Sequence, residues 1–298
     1  MADQLSLFEA TYEKPTHLPT HVRLIEFFAG IGAQAKALEI LGADFEHWRT
    51  CEWSWQSITA YNAIHHMGVA DTSGLSYDEV LGRIRGVSHD YNKPMTDDQL
   101  RKKGEKWARE LLGRMIGNRN FCPDVSRLHG SDLGITDRES NTYILTYSFP
   151  CQDLSNAGLM AGMEKGSGTR SGLLWEVERI LNELKESDSL PQVLLMENVP
   201  GVCGANNLKP WNDWLDALEK LGYTNYWRIL NAKDYGIPQN RRRCFMLSIL
   251  GEYSYSFPRK MPLRYLIKDF IHKKVDESYY LSDELVAGFQ RYADGNPT

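Results

Sequence analysis

The chain reads as an open, doubly wound α/β sheet, mostly parallel, with a helical insertion. Three observations predict it. Short β-rich apolar runs alternate with helix-forming stretches, a glycine turn joins the first strand to the first helix, and one charged segment interrupts the alternation. The 298 residues are 42% hydrophobic and 24% charged, a globular balance sufficient for one large core or two modest ones.

Residues 1–21 carry Pro15 and Pro19 among scattered polar residues and are expected to form a loose lead-in. Val22 to Phe28 is an apolar, β-rich run. Gly30 and Gly32 follow, and Ala33 to Leu41 is rich in helix formers until Gly42 stops it. A second apolar run, Phe45 to Trp53, completes a β-α-β unit, which demands parallel strands. Later strands are expected at 143–149, 193–196, 226–230 and 244–250, and helices at 173–184 and 211–221. The insertion occupies about 61–125. Within it Thr96 and Gln99 form a capping box, and Leu100, Trp107, Leu111, Met115 and Ile116 recur at helical spacing, predicting a helix whose apolar stripe packs.

Charge and composition exclude several classes. No run approaches the roughly 20 apolar residues that span a bilayer, and the first residues lack a secretion signal, so a soluble, cytoplasmic protein with no membrane partner is expected. The five cysteines include no C-x-x-C pair, which indicates neither a disulfide framework nor a metal site. The net charge of −5 argues against indiscriminate coating of nucleic acid. Its distribution is uneven, because Arg228 to Lys274 holds eleven Lys or Arg against three acids. A basic patch on an acidic body is compatible with one docked polyanion.

Four short constellations carry chemistry. Gly30-Ile31-Gly32-Ala-Gln-Ala35 follows a strand and opens a helix, the turn that lets a nucleotide-like ligand approach backbone amides. Glu52, at the end of the next strand, can accept hydrogen bonds from a ribose, and Trp53 offers a flat surface for adenine. Together they indicate an adenosine-containing cofactor, and leave nicotinamide dinucleotide and S-adenosylmethionine both open. Ser148-Phe149-Pro150-Cys151-Gln152 sits where a strand ends, with Asp153 to Asn156 turning towards Gly158. A thiol at that edge lies at the mouth of the ligand crevice and becomes a nucleophile if amides of the turn point at its sulfur. Glu197 and Asn198 close the apolar run from Gln192. An acid at such a strand end feels desolvation, which favours its protonated, donating form. In Gln239-Asn-Arg241-Arg242-Arg243, an extended backbone sends Arg241 and Arg243 to one side, where two guanidinia suit phosphate or carbonyl oxygens.

Taken in order, Phe28-Ala-Gly-Ile-Gly32, Phe149-Pro-Cys-Gln152, Glu197-Asn-Val199 and Gln239-x-Arg241-x-Arg243 resemble the motifs of DNA cytosine-5 methyltransferases, over roughly residues 22–257. The resemblance implies the Rossmann-like fold of S-adenosylmethionine-dependent methyltransferases. It implies that Phe28, Gly30, Ile31 and Gly32 line the S-adenosylmethionine site, with Glu52 on the ribose, Trp53 on the adenine, Asp132 facing the adenine amino group, and Pro150 and Leu173 beside the cofactor. It implies further that Cys151 adds to carbon 6 of a cytosine flipped from double-stranded DNA while Glu197 protonates N3. Arg243 would contact the cytosine carbonyl, Arg241 a phosphate or the catalytic loop, Gln239 would support that loop, and Asn198 belongs to the same catalytic set. The setting implied is a restriction-modification or phage modification system.

There are departures from the family pattern. The span from Glu52 to Asp132 is long because of the insertion. Residues 258–298 read as a linker and the start of an incomplete recognition region, so a fragment, or a split enzyme whose second subunit supplies recognition, is expected. Methylation of an RNA cytosine, a non-catalytic DNA-binding subunit and a nicotinamide-dependent oxidoreductase are the alternatives.

Overall fold

The computed structural model describes residues 18–90, 93–152, 154 and 162–293. The chain divides into two compact units, Met1–Asn231 with Arg242–Arg259, and Ala232–Arg241 with Lys260–Thr298.

In the first unit the elements run β1 (Val22–Phe27), α1 (Ala33–Ile40), β2 (Phe45–Cys51), α2 (Trp55–Ile64), α3 (Tyr77–Arg83), α4 (Asp97–Lys103), α5 (Glu105–Gly117), β3 (Thr142–Tyr147), α6 (Leu174–Glu186), β4 (Val193–Asn198), α7 (Leu208–Lys220), β5 (Tyr223–Asn231) and β6 (Arg242–Leu250). Among the described residues these strands form one six-stranded sheet in the order β2-β1-β3-β4-β6-β5. The pairs β1–β2, β1–β3 and β3–β4 are parallel. The pairs β4–β6 and β5–β6 are antiparallel.

The doubly wound expectation holds for the first four strands. The chain moves outward from β1 to β2 and returns on the other side of β1 as β3, which opens a crevice at the carboxyl ends of β1 and β3. The last pair departs from parallel order. Only the connection Ala232–Arg241 separates β5 from β6 and it contains no crossover helix, so β6 must return against β5.

One core lies under the sheet, where Leu174, Val177, Ile180, Leu181 and Leu184 of α6 and Trp211, Trp214 and Leu218 of α7 meet inward-facing Ile25, Tyr143, Leu145, Leu194 and Met246. The insertion has its own core of Ile58, Val80, Leu81, Ile84, Leu100, Leu111 and Met115, with Trp107 and Ile116 packed at its margin, as the stripe requires. The insertion departs from expectation in two ways. It is rooted at Trp55, where Ser54 caps α2, rather than at Tyr61. The helix that starts at the Thr96–Gln99 capping box also breaks at Gly104, a poor helix former, giving α4 and α5.

In the second unit the segment before β6 folds on itself, with the Ala232 amide donating to the Arg241 carbonyl (3.0 Å) and the Arg241 amide to the Gln239 carbonyl (3.0 Å). Lys260 pairs with Asp234 at 2.9 Å, and α8 (Asp283–Ala293) ends the described part. Among the described residues no helix is long and apolar enough to cross a membrane.

Candidate active site

The parallel strands deliver their chemistry to one edge. After β1 the backbone enters the positive-φ region at Phe28 (55°), Gly30 (55°) and Gly32 (77°), a turn that reverses the chain into α1. Gly32 is demanded by packing as well, since a Cβ there would lie 2.2 Å from His65 Nε2 and 2.6 Å from Tyr61 Cε2. A Cβ on Gly30 would meet nothing within 4 Å, so the turn faces open space there. Ile31 stands over it with half its surface exposed, at 52%.

Glu52, immediately after β2, is 7% exposed, and both its oxygens are held by backbone amides: Oε2 accepts from Gly30 in the turn and Oε1 from Ser54 at the start of α2, each at 2.7 Å. Burial raises its pKa, and the amide bonds from Ser54, Gly30 and Trp53 oppose that rise. Trp53 follows, half-buried. This set fits S-adenosylmethionine: a carboxylate with unused lone pairs for a ribose, an indole for adenine, and an open-faced glycine turn for close approach. Leu173 is half-buried against the main core. Asp132 lies in a short 3-10 turn (Gly130–Leu133), exposed, and its carboxylate accepts from the His129 amide at 2.9 Å. The structure thus shows Asp132 capping its own turn.

A second buried carboxylate lies beneath the turn and was not among the residues singled out. Glu26 of β1 is 1% exposed and accepts from the Tyr61 hydroxyl (2.6 Å) and the Ala35 amide of α1 (3.4 Å). Tyr61 also meets His47 Nδ1 at 2.6 Å. Burial pushes Glu26 up to about 7 and His47 down to about 4, the latter with help from the neighbouring charge of His65. The signal was present in the sequence, since Glu26 interrupts the otherwise apolar end of Val22–Phe28.

β3 and β4 are parallel neighbours, with Tyr147 opposite Met196, so the segments leaving them emerge side by side. Asn198, 2% exposed, joins the two: its Nδ2 donates to the Phe149 carbonyl (3.1 Å) while its Oδ1 accepts from the Val199 amide (2.8 Å). The Ser171 hydroxyl holds the Pro150 carbonyl at 2.7 Å. Cys151 is therefore carried on a backbone fixed on both sides, half-buried, with its carbonyl accepting from the Leu154 amide at 3.0 Å. Asp153, Ser155 and Asn156 lie outside the described residues, and with them the expected turn amides.

Glu197, at the end of β4, is paired with an arginine. Its Oε1 lies 2.9 Å from Arg243 Nε, and both side chains are about one-fifth exposed, at 23% and 21%. The antiparallel return of β6 produces this pair. With Asn198 opposite Cys244, the beginning of β6 lies beside the end of β4, so Arg243 arrives at the catalytic edge. A parallel β6 would have placed it at the other end. Arg242 and Arg243 alone belong to the strand, whereas Gln239 and Arg241 belong to the second unit. No cluster of three or more possible metal ligands occurs among the described residues.

Residues 84–298 match the model of the C-5 cytosine-specific DNA methylase family. The chain is 37% identical over 273 residues to the orphan methyltransferase M.SssI of Spiroplasma monobiae, covering 89% of this chain and 68% of that protein. It is 35% identical over 270 residues to the type II methyltransferase M2.ScrFI of Lactococcus lactis subsp. cremoris, covering 89% and 72%. Among solved structures the fold is similar to the S. pombe Dnmt2 methyltransferase (TM-score 0.53, 18% identity, 91% of this chain) and the Entamoeba histolytica methyltransferase EhMeth (TM-score 0.57, 17% identity, 89% of this chain). The chain spans just under two thirds of those two solved chains, 66% and 64%. With a glycine turn, a strand-end Pro-Cys and a Glu-Asn pair assembled on one edge of a methyltransferase sheet, the chain belongs to the C-5 cytosine-specific DNA methylases.

Proposed function

We propose that the chain transfers a methyl group from S-adenosylmethionine to carbon 5 of cytosine in duplex DNA, in a modification system of the kind its type II relatives are named for, through a covalent adduct on Cys151. The observation that carries this reading is the Asn198 bridge, which ties the Glu197 strand end to the Phe149-Pro150-Cys151 segment and so sets nucleophile and acid at adjoining strand ends.

In this reading a cytosine is turned out of the duplex, because its ring atoms are inaccessible within the stack. Cys151 Sγ adds to carbon 6, Glu197 delivers a proton to N3, and the electron pair settles on carbon 5. S-adenosylmethionine supplies the electrophilic methyl for that carbon. Loss of the carbon-5 proton to a water or hydroxide acting as base then expels the Cys151 thiolate, and N3 returns its proton to the Glu197 carboxylate, which restores the ring. Arg243 turns a guanidinium N–H towards the cytosine carbonyl, a role supported by its position beside Glu197. Phe28, Gly30, Ile31, Gly32, Glu52 and Trp53 hold the cofactor, with Pro150, Leu173 and Asp132 at its margin. Arg241 contacts a phosphate of the DNA.

The test is trapping. A duplex carrying 5-fluorocytosine cannot lose fluorine as a cation, so with cofactor present it should leave a denaturant-resistant protein–DNA adduct, and the adducted peptide should contain Cys151. Absence of an adduct from a chain that binds both ligands, or an adduct that survives Cys151→Ser, removes the covalent mechanism.

A further inference from the structure

The insertion carries a cationic pocket that the reaction does not use. A cavity of about 350 Å³ is lined by His89, Asp90, Lys93, Pro94, Met95, Gln99, Lys102 and Lys103. Lys93, Lys102 and Lys103 are exposed. Among the described residues none of the three is ion-paired with a carboxylate, although three of the insertion's arginines are: Arg85 with Asp97 at 2.6 Å, Arg101 with Asp78 at 2.8 Å, and Arg109 with Glu105 at 2.6 Å. Three acids of this region are thus engaged by arginines, and the lining of the pocket holds three lysines and one carboxylate, Asp90. Two of its lining residues are backed by an aromatic ring. His89 stacks on Trp55 at 11° and 6.0 Å, and the Lys103 ammonium lies 4.9 Å from the Trp55 ring centre.

The pocket is anchored to the catalytic edge. The Ser88 amide donates to the Trp53 carbonyl (2.6 Å), the Trp55 amide donates to the Ser88 carbonyl (3.2 Å), and Gln56 Nε2 holds the His89 carbonyl (2.9 Å). His89 is thereby stapled to the residues that directly follow Glu52, at the carboxyl ends of the parallel strands. A target base reaches that edge only if the duplex lies across it, and a duplex so placed carries a phosphate about every 1.7 Å of its axis.

We propose that Lys93, Lys102 and Lys103 form a docking site for the phosphate backbone of the substrate duplex, so that the insertion is a non-specific DNA clamp beside the cofactor crevice. Lysine suits this task as a mobile point charge that neutralises phosphate without reading bases. The inference rests on the reading of the chain as acting on duplex DNA.

The test compares the full chain with a Lys93→Ala/Lys102→Ala/Lys103→Ala variant and with the corresponding triple arginine variant, by fluorescence anisotropy of a labelled mixed-sequence duplex across a salt series. The alanine variant should bind about tenfold or more weakly at low salt, with a slope of log affinity against log salt reduced by about 2 to 3, and the arginine variant should restore both. Independently, acetylation of the three lysines on the wild-type chain should be slowed by duplex. An alanine variant with unchanged slope and affinity, from a wild type that methylates DNA, overturns the inference alone. Protection by inorganic pyrophosphate but not by duplex also overturns it, and points to a small-anion site. A wild type that neither binds duplex nor methylates it overturns the inference together with the reading beneath it.

Discussion

Glu52 and Glu197 occupy comparable places, each at the carboxyl end of a parallel strand on one sheet edge, yet their surroundings differ. Glu52 is almost fully buried and held by two backbone amides at 2.7 Å, one fixed in the glycine turn (Gly30) and one at the cap of α2 (Ser54). Glu197 is partly open to solvent and faces one guanidinium on a flexible side chain. The difference matches the two tasks proposed for them. A cofactor site profits from acceptors oriented before the ligand arrives, whereas an acid that must meet a flipped base needs a partner it can exchange. The two halves of the sheet supply these environments: the parallel half closes over Glu52 with its own turn, and the antiparallel half lends Glu197 a side chain from β6.

The sharpest way to break this contrast is to remove the nucleophile that the exchangeable half serves. Cys151→Ser should lower methyl transfer by about 10³-fold or more while cofactor and duplex binding persist. Tritiated-methyl incorporation measures it, and iodoacetamide mapping should place the fastest label on Cys151. Burial pushes the thiols of Cys51 and Cys244 up, so those two should label slowly.

Glu197→Gln keeps size and hydrogen bonding but cannot give up a proton, and single-turnover methyl transfer should fall by about 10²- to 10⁴-fold. Cofactor affinity should not change, and a loss there would mean that the two halves are not separate in function.

Glu52→Ala probes the opposite half. It should weaken S-adenosylmethionine binding by on the order of 2 to 4 kcal/mol, read by calorimetry, with the residual rate recovered at saturating cofactor. Equal affinity in mutant and wild type would sink the ribose role.

The smallest effect concerns the buried network beneath the turn. Glu26 sits at about 7 in the folded chain, above its ordinary value, so its contribution to stability is complete at acid pH and is lost as pH rises from about 4.5 to 7. His47 sits at about 4, below its ordinary value, so its contribution is present above about 6.5 and is lost as pH falls towards 4. The two slopes oppose each other where they overlap. Glu26→Gln should therefore unmask a stability that rises from pH 4 to 6.5, and His47→Gln one that falls from pH 4.5 to 7, each by on the order of 2 kcal/mol in urea titrations. Parallel pH profiles in wild type and both variants would show that neither group titrates as the buried network requires.

The sequence by itself determined the strands, most of the helices, the glycine turn and the identity of the residues at the strand ends. Each is a local property: apolar period, capping residues and turn formers act within a few positions and leave their mark in the order of residues. Thr96 and Gln99 were legible as a cap for that reason, and so was the packing of Leu100, Leu111 and Met115. Only the tertiary structure decided which of these residues meet. The direction of β6 follows from its short return from β5, and that direction brings Arg243 to Glu197. Asn198 reaches Phe149 because β3 and β4 are neighbours, although 49 residues separate the two positions in the chain. Tyr61 finds Glu26 and His47 only when α2 packs over β1 and β2. These partnerships depend on strand order and pairing, which are set by burial across the whole sheet and carry no signature at any one position.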